Sequence, residues 1–301
     1  MRLPNPNGLP VSWGLRELDS TLGQMILGRF YLIGARAGNG KTMFAMNWLN
    51  HHLDRMERAT PDDLVFLPRK IQIFMTERSP DVAIRSWAAL RAGLDEDAVL
   101  MGEWDDMPAG AEERFQKELS FLNRWHRDSY LSMESLARPT LKSIRERVEE
   151  YDPDVILFDH VQRIRADRNE SKFEVVSEAA HMFQEFATKG NRIVVVMSQL
   201  KRTGDKIFSK YRPPSDEDFK YAGELEENAD VVLGLFRPLR RMKVSDEREI
   251  RNGTKPLDPY KVHDTMGVNV PKHRWRGSVI DEVMLVRCKS GRIEDFDHVP
   301  F

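Results

Sequence analysis

The stretch ARAGNGKT at residues 35–42 has the residue types needed to hold a triphosphate. Phosphate oxygens are bound by backbone N–H groups that converge on one point, reinforced by the positive end of a helix. Such a loop must curl tightly and carry little side-chain bulk. Gly38 and Gly40 supply freedom in φ on either side of Asn39, and Ala35 and Ala37 are the next smallest choice. The usual pattern is Gly, four residues, then Gly-Lys-Ser/Thr, and here Ala35 stands in place of the first glycine. Lys41 is placed to reach the β- and γ-phosphates and the Thr42 hydroxyl to ligate Mg²⁺.

Other chemistry-bearing residues close short apolar runs. Asp159 ends DVILFDH, where a carboxylate is suited to Mg²⁺, commonly through water; the alternative is an aspartate that caps a loop. Glu77 ends IQIFMTE and could polarise an attacking water, or be a surface residue or helix cap. Gln199 ends RIVVVMSQ, where an amide could sense the γ-phosphate or simply finish a strand. Arg287, Lys289 and Arg292 follow VMLV and could serve a triphosphate across a subunit boundary, or decorate a surface hairpin.

These residues must be positioned by regular elements. Apolar runs at 31–34, 71–77, 154–160, 192–199, 230–236 and 281–288 read as strands. Segments 41–56, 80–93, 111–126, 139–151 and 173–189 carry helical spacing. Strands alternating with helices predict an α/β fold, a mostly parallel twisted sheet with helices on both faces. Ligands in such folds sit at the carboxyl ends of the strands, which is where the residues above fall. Residues 200–224 and 237–276 show neither pattern.

The chain has 301 residues, 41% hydrophobic and 31% charged, with net charge −2, so contact with nucleic acid would need local basic patches. A single cysteine, Cys288, excludes a disulfide within the chain and fits a reducing cytosol. No apolar run approaches spanning length and the start MRLPNPNGLP lacks a signal-peptide core, so a cytoplasmic protein with no membrane association is expected. One basic patch holds Lys201, Arg202, Lys206, Lys210 and Arg212 against the single acid Asp205, with Phe208 and Tyr211 interleaved. Bases that track phosphates and rings that stack on nucleobases are what single-strand binding uses. A second run, Arg163, Arg165, Arg168 and Lys172, follows Asp159. Both follow central strands and so face one side, although either alone also reads as a solvated loop. Residues 237–276 hold eleven Lys/Arg against five Asp/Glu.

In order, ARAGNGKTMFAMN, FMTERSPDVAIRSW, VILFDHVQ, VVVMSQLKR, ELEENADVVLGLFR and LVRCKSG resemble the carboxyl-terminal ATPase domain of DnaB-type replicative helicases, within the RecA-like superfamily of P-loop NTPases. The opening SWGLRELDSTLG at 12–23 is similar too, and the resemblance covers most of 12–301. In that family the phosphate loop typically begins Ala-Arg, so Ala35 is the expected variant. The resemblance implies Lys41 and Thr42 on phosphates and Mg²⁺, Glu77 as catalytic glutamate, Asp159 as the Mg²⁺-associated aspartate, and Gln199 as the residue coupling phosphate state to DNA. It implies ATP and Mg²⁺ as cofactors, a ring-forming helicase, usually hexameric, with ATP between subunits and single-stranded DNA through the centre.

Three departures from the family stand out. Its last motif commonly reads Lys-x-Arg, with the arginine as trans finger, whereas here the order is Arg287-Cys288-Lys289, and a lysine lacks the planar fork. Only about a dozen residues precede the core, so a single RecA-like ATPase domain over 1–301 is expected, with 1–12 as an extension. The helical collar would be absent, and a protein partner could replace it. Residues 237–276 read as a basic insertion longer than the family's counterpart. The alternative is an ATPase of the same fold that does not unwind: an assembly factor, recombination mediator or regulator. A nucleotide-gated scaffold is a third reading, opposed by the retained Lys41, Thr42, Glu77 and Asp159.

Overall fold

Strand β1 (Arg29–Ala35) is buried at every position after its first, which requires cover on both of its faces. In the computed structural model it lies at the middle of a nine-stranded sheet. The structure describes residues 10–60, 62, 67–136, 138–166, 171–200, 213–214, 216–219, 223–236, 265–275, 280–289 and 292–295. The remaining strands are β2 (Ile71–Met75), β3 (Leu131–Ser135), β4 (Val155–Asp159), β5 (Ile193–Gln199), β6 (Val231–Phe236), β7 (Thr265–His273), β8 (Ile280–Lys289) and β9 (Arg292–Asp295). Their order is β3-β2-β4-β5-β1-β6-β7-β8-β9. Neighbours from β3 through β6 are parallel, and β6 through β9 are antiparallel.

Alternation along each strand divides the core in two. Tyr31, Ile33, Ile73, Leu157 and Val195 point to one face, which is covered by α1 (Arg16–Leu22), α2 (Lys41–Arg58), α3 (Pro80–Ala92), α4 (Glu96–Met101) and α5 (Ala111–Arg127). Phe30, Leu32, Phe74, Phe158 and Val196 point to the other, covered by α6 (Leu141–Tyr151), α7 (Lys172–Thr188), α8 (Asp216–Phe219) and α9 (Gly223–Asn228). The predicted mostly parallel sheet with helices on both faces is therefore the observed architecture. Among the described residues no helix is long and apolar enough to cross a membrane.

One sequence expectation needs correction. Residues 237–276 do not all belong to an insertion, because Thr265–His273 is a sheet strand, buried at most positions. TMGVNVPKH escapes recognition because a glycine, an asparagine and a proline interrupt its apolar pattern. Each is accommodated locally. The pairing with β6 and β8 shifts register next to Asn269. A Cβ on Gly267 would lie 2.2 Å from the Phe236 ring. Strands β3 and β9 and helices α1 and α4 are also absent from the sequence reading; each has seven residues or fewer.

Candidate active site

The phosphate loop is assembled between the end of β1 and the start of α2. The carbonyl of Ala35 accepts from Leu200 N at 3.0 Å, which ties the loop's first residue to the exit of β5. Asn39 N donates to Arg36 O at 3.1 Å, closing a turn. Gly38 and Gly40 take positive φ, 76° and 86°, where a side chain would be strained. A methyl on Gly40 would also lie 2.7 Å from Met266 Cε and 3.0 Å from Met43 Cε. Arg36 is buried and pairs with buried Asp218 at 3.2 Å. Gly40 caps α2 without a side-chain hydrogen bond, and the first turn carries no carboxylate. The positive end of α2 is thus left unneutralised by acidic side chains of that turn.

Lys41 and the carboxylates converge on this loop. Lys41 Nζ donates to Ala35 O at 3.3 Å. Burial pushes its pKa below the usual lysine value, with Asp159 and Glu77 pulling the other way. Thr42 Oγ1 donates to Asp159 Oδ2 at 2.5 Å, and Asp159 is buried. Thr76 fixes the end of β4: its N–H and its hydroxyl donate to Asp159 O at 2.9 and 3.0 Å, and its oxygen accepts from His160 N at 3.1 Å. Glu77 follows directly, and Ser79 caps α3 two residues on, so the backbone carrying Glu77 is held at both ends. Glu77 Oε1 accepts from Arg163 Nη2 at 2.8 Å. That bond holds the Glu77 carboxyl below the usual range, against a smaller opposing effect of burial. His160 Nδ1 lies 4.0 Å from both Glu77 Oε1 and Asp159 Oδ1. Its pKa is lowered by burial despite those two carboxylates, which keeps the ring neutral near pH 7.

This donor set fits a Mg²⁺-triphosphate. The loop's glycines leave room that a Cβ would fill, Lys41 supplies a desolvated cation, and a hydroxyl and a carboxylate meet at one point. Among the described residues no group of three or more His, Cys, Asp or Glu is arranged to hold a metal ion by itself. Thr42 and Asp159 would therefore share the cation with phosphate oxygens and water, the arrangement Mg²⁺ prefers.

The other predicted residues divide. The amide of Gln162 laces β4 to β5: its Nε2 donates to Ser198 Oγ at 2.7 Å and Gln199 O at 3.3 Å, and its Oε1 accepts from Gln199 N at 3.0 Å. Gln199 is fixed by its backbone and exposed. Arg163 and Arg165 are exposed on the turn after β4. Arg168, Lys201, Arg202, Lys206, Lys210 and Arg212 lie outside the described residues, as do the side chains of Arg287 and Lys289. The backbone of Arg287 pairs with Thr265, close to the Phe236–Gly267 pair at the end of β6, and so sits at the same end of the sheet as Ala35. Arg292 instead donates to Arg91 O at the end of α3. Thr76, Gln162, Asp218 and Met266 were missed in the sequence. Thr76, within IQIFMTE, and Gln162, within VILFDHVQ, lay in segments that pointed to the site; Asp218 and Met266 did not.

Comparison with known proteins agrees with this geometry. The family described as DnaB-like helicase C terminal domain matches residues 10–288. The replicative DNA helicase DnaB of Helicobacter pylori (strain J99 / ATCC 700824) is 23% identical over 299 residues, covering 94% of this chain and 56% of its own length. The chain thus spans about half the length of the curated relatives it matches. A solved structure of a DnaB-like replicative helicase, described with its interactions with primase, superposes with a TM-score of 0.72 at 18% identity, covering 97% of this chain and 63% of that one. The ATPase domain of G40P gives 0.70 at 18% identity, with 97% and 93% covered.

Proposed function

The chain belongs to the DnaB-like helicase C-terminal domain family, and from that premise we propose that it is an ATP hydrolase driving a DnaB-like helicase along single-stranded DNA. The observation that carries this reading is the meeting of Lys41, Thr42, Asp159 and Glu77 at the carboxyl ends of β1, β4 and β2. Backbone N–H groups of 35–42 and the Lys41 ammonium bind the phosphates. Thr42 and Asp159 would hold Mg²⁺, which when bound would neutralise phosphate charge. Glu77 accepts the proton of the attacking water. Thr76 keeps the strand ends beneath these groups in register. Gln199 sits one residue before Leu200, which is bonded to the phosphate loop, so loss of a phosphate is relayed to the chain after β5.

Arg163, Arg165, Arg168, Lys201, Arg202, Lys206, Lys210 and Arg212 form the DNA-contacting set. Arg287 or Lys289 supplies the trans charge to a neighbouring subunit's nucleotide in a cytoplasmic ring, usually hexameric. A protein partner completes the assembly. The test is steady-state ATP hydrolysis by the wild type and Lys41→Ala, with and without single-stranded DNA, at two salt concentrations. Stimulation by DNA that fades with salt and is lost in the variant supports the motor. The order Arg287-Cys288-Lys289 favours a second reading, an ATPase of this fold that does not unwind; hydrolysis without displacement of a paired strand selects it.

A further inference from the structure

The Glu77–Arg163 ion pair is formed in contact with solvent, the two side chains being 52% and 53% exposed. Exposed pairs of this kind contribute about 0.2–1 kcal/mol, so a competing anion can break one. The backbone beneath Arg163 is fixed. Arg163 N donates to His160 O at 3.2 Å, Ile164 N to Val161 O at 3.1 Å and Arg165 N to Pro139 O at 2.8 Å, and Ile164 is buried. Gln162 next to it is bonded to the end of β5. The guanidinium can therefore change partner while its anchor stays in place. A carboxylate sharing its oxygen with a guanidinium is a poorer proton acceptor than the same carboxylate alone. A phosphate diester offers the guanidinium a fork-matched partner, and Arg165 stands exposed beside it to hold the same strand.

We propose that Arg163 is a positioning residue that occupies Glu77 until a phosphate of single-stranded DNA takes the guanidinium, so that bound DNA frees the base for hydrolysis. The inference rests on the function proposed above. Coupling of this kind is reciprocal: if DNA loosens the pair, loosening the pair must favour DNA.

Two measurements test it. The first is the affinity of a fluorescently labelled oligothymidylate for wild type, Glu77→Gln, Arg163→Ala and the double variant, without ATP. Glu77→Gln is expected to bind up to about fivefold tighter than wild type, the most an exposed pair can supply, and the gain should vanish in the Arg163→Ala background. A gain that persists without Arg163 is a general charge effect and overturns the proposal, as does no gain. The second is ATP turnover without DNA, which Arg163→Ala should raise about two- to fivefold while shrinking the further stimulation by DNA. Arg163→Lys should restore much of the restraint. Unstimulated turnover that is unchanged or lower in Arg163→Ala overturns the gate. Absence of turnover in the wild type defeats the proposed function itself, and is read separately because the affinity measurement needs no hydrolysis.

Discussion

Lys41 turns its ammonium back onto the carbonyl oxygen of Ala35, 3.3 Å away, so the phosphate loop is closed by its own lysine. That ammonium is desolvated, and its pKa lies below 10.5 because of burial. The folded chain therefore binds this proton less tightly than the unfolded chain, and the wild type gains stability as pH rises from the depressed value towards 10.5. Lys41→Met should unfold at a higher temperature than wild type at neutral pH without nucleotide, and lose that rise. ATP turnover should fall by about a hundredfold or more. Thermal unfolding across pH, with a parallel hydrolysis assay, checks both halves; a less stable Lys41→Met would contradict the desolvation account.

Gly34, one residue before the loop, is confined by packing. A Cβ there would lie 2.2 Å from the Phe219 ring and 3.1 Å from Leu200 Cδ2. Gly34→Ala should cost about 1–3 kcal/mol through overpacking, measured by denaturant unfolding. Phe219→Leu in the same chain should recover part of that loss, since the ring is the obstacle.

His52, on the helix that begins at Lys41, is fully buried, with Nε2 2.7 Å from Pro68 O. Burial pushes its pKa down from 6.5 to about 4. Both states are neutral above 6.5; below it the unfolded chain takes the proton first, so stability is lost as pH falls from 6.5 through about 4. The loss should be on the order of 3 kcal/mol. His52→Gln keeps an N–H for Pro68 and should flatten this part of the profile in urea unfolding at stepped pH.

Arg36 and Asp218 form a buried pair at 3.2 Å that ties the phosphate loop to α8. Removing one partner takes a close, buried ion pair from the loop, so Asp218→Ala should be destabilising by up to about 3–5 kcal/mol. Nucleotide affinity should fall with it, as the loop loses its anchor. A full-strength loop in Asp218→Ala, read by nucleotide titration of the folded fraction, would place the anchor elsewhere.

Glu77→Gln should abolish turnover while sparing nucleotide binding, measured by hydrolysis and titration on the same preparation. Replaced singly, whichever of Arg287 and Lys289 is the trans charge should lower turnover by about tenfold or more, roughly 1.4 kcal/mol of barrier. If neither does, the trans charge comes from another residue.

The parts of this architecture that could be read in the sequence are those with a strong local cause. β1, β4 and β5 are continuous apolar runs because both faces of a parallel sheet are covered, and Lys41, Asp159 and Glu77 are charges that end or follow such runs. Thr76 and Gln162 gave no such contrast. Each is a neutral side chain whose role depends on β2 and β4 being neighbours, Met75 opposite Asp159, and on β5 lying beside them. Asp218 belongs to a four-residue helix within a stretch of weak pattern, and its value lies in a partner far away in sequence. β7 was hidden because its interruptions are excused by neighbours on β6 and β8, which a local reading cannot see.

Met266 Cε would meet a methyl on Gly40, so a late strand furnishes the floor of an early loop. During synthesis the glycine-rich turn leaves the ribosome long before that floor exists. Competence to hold a nucleotide is then expected to arrive late, after β7 has docked on β6. A nascent chain stopped short of Thr265 should carry the whole of ARAGNGKT and still fail to retain ATP.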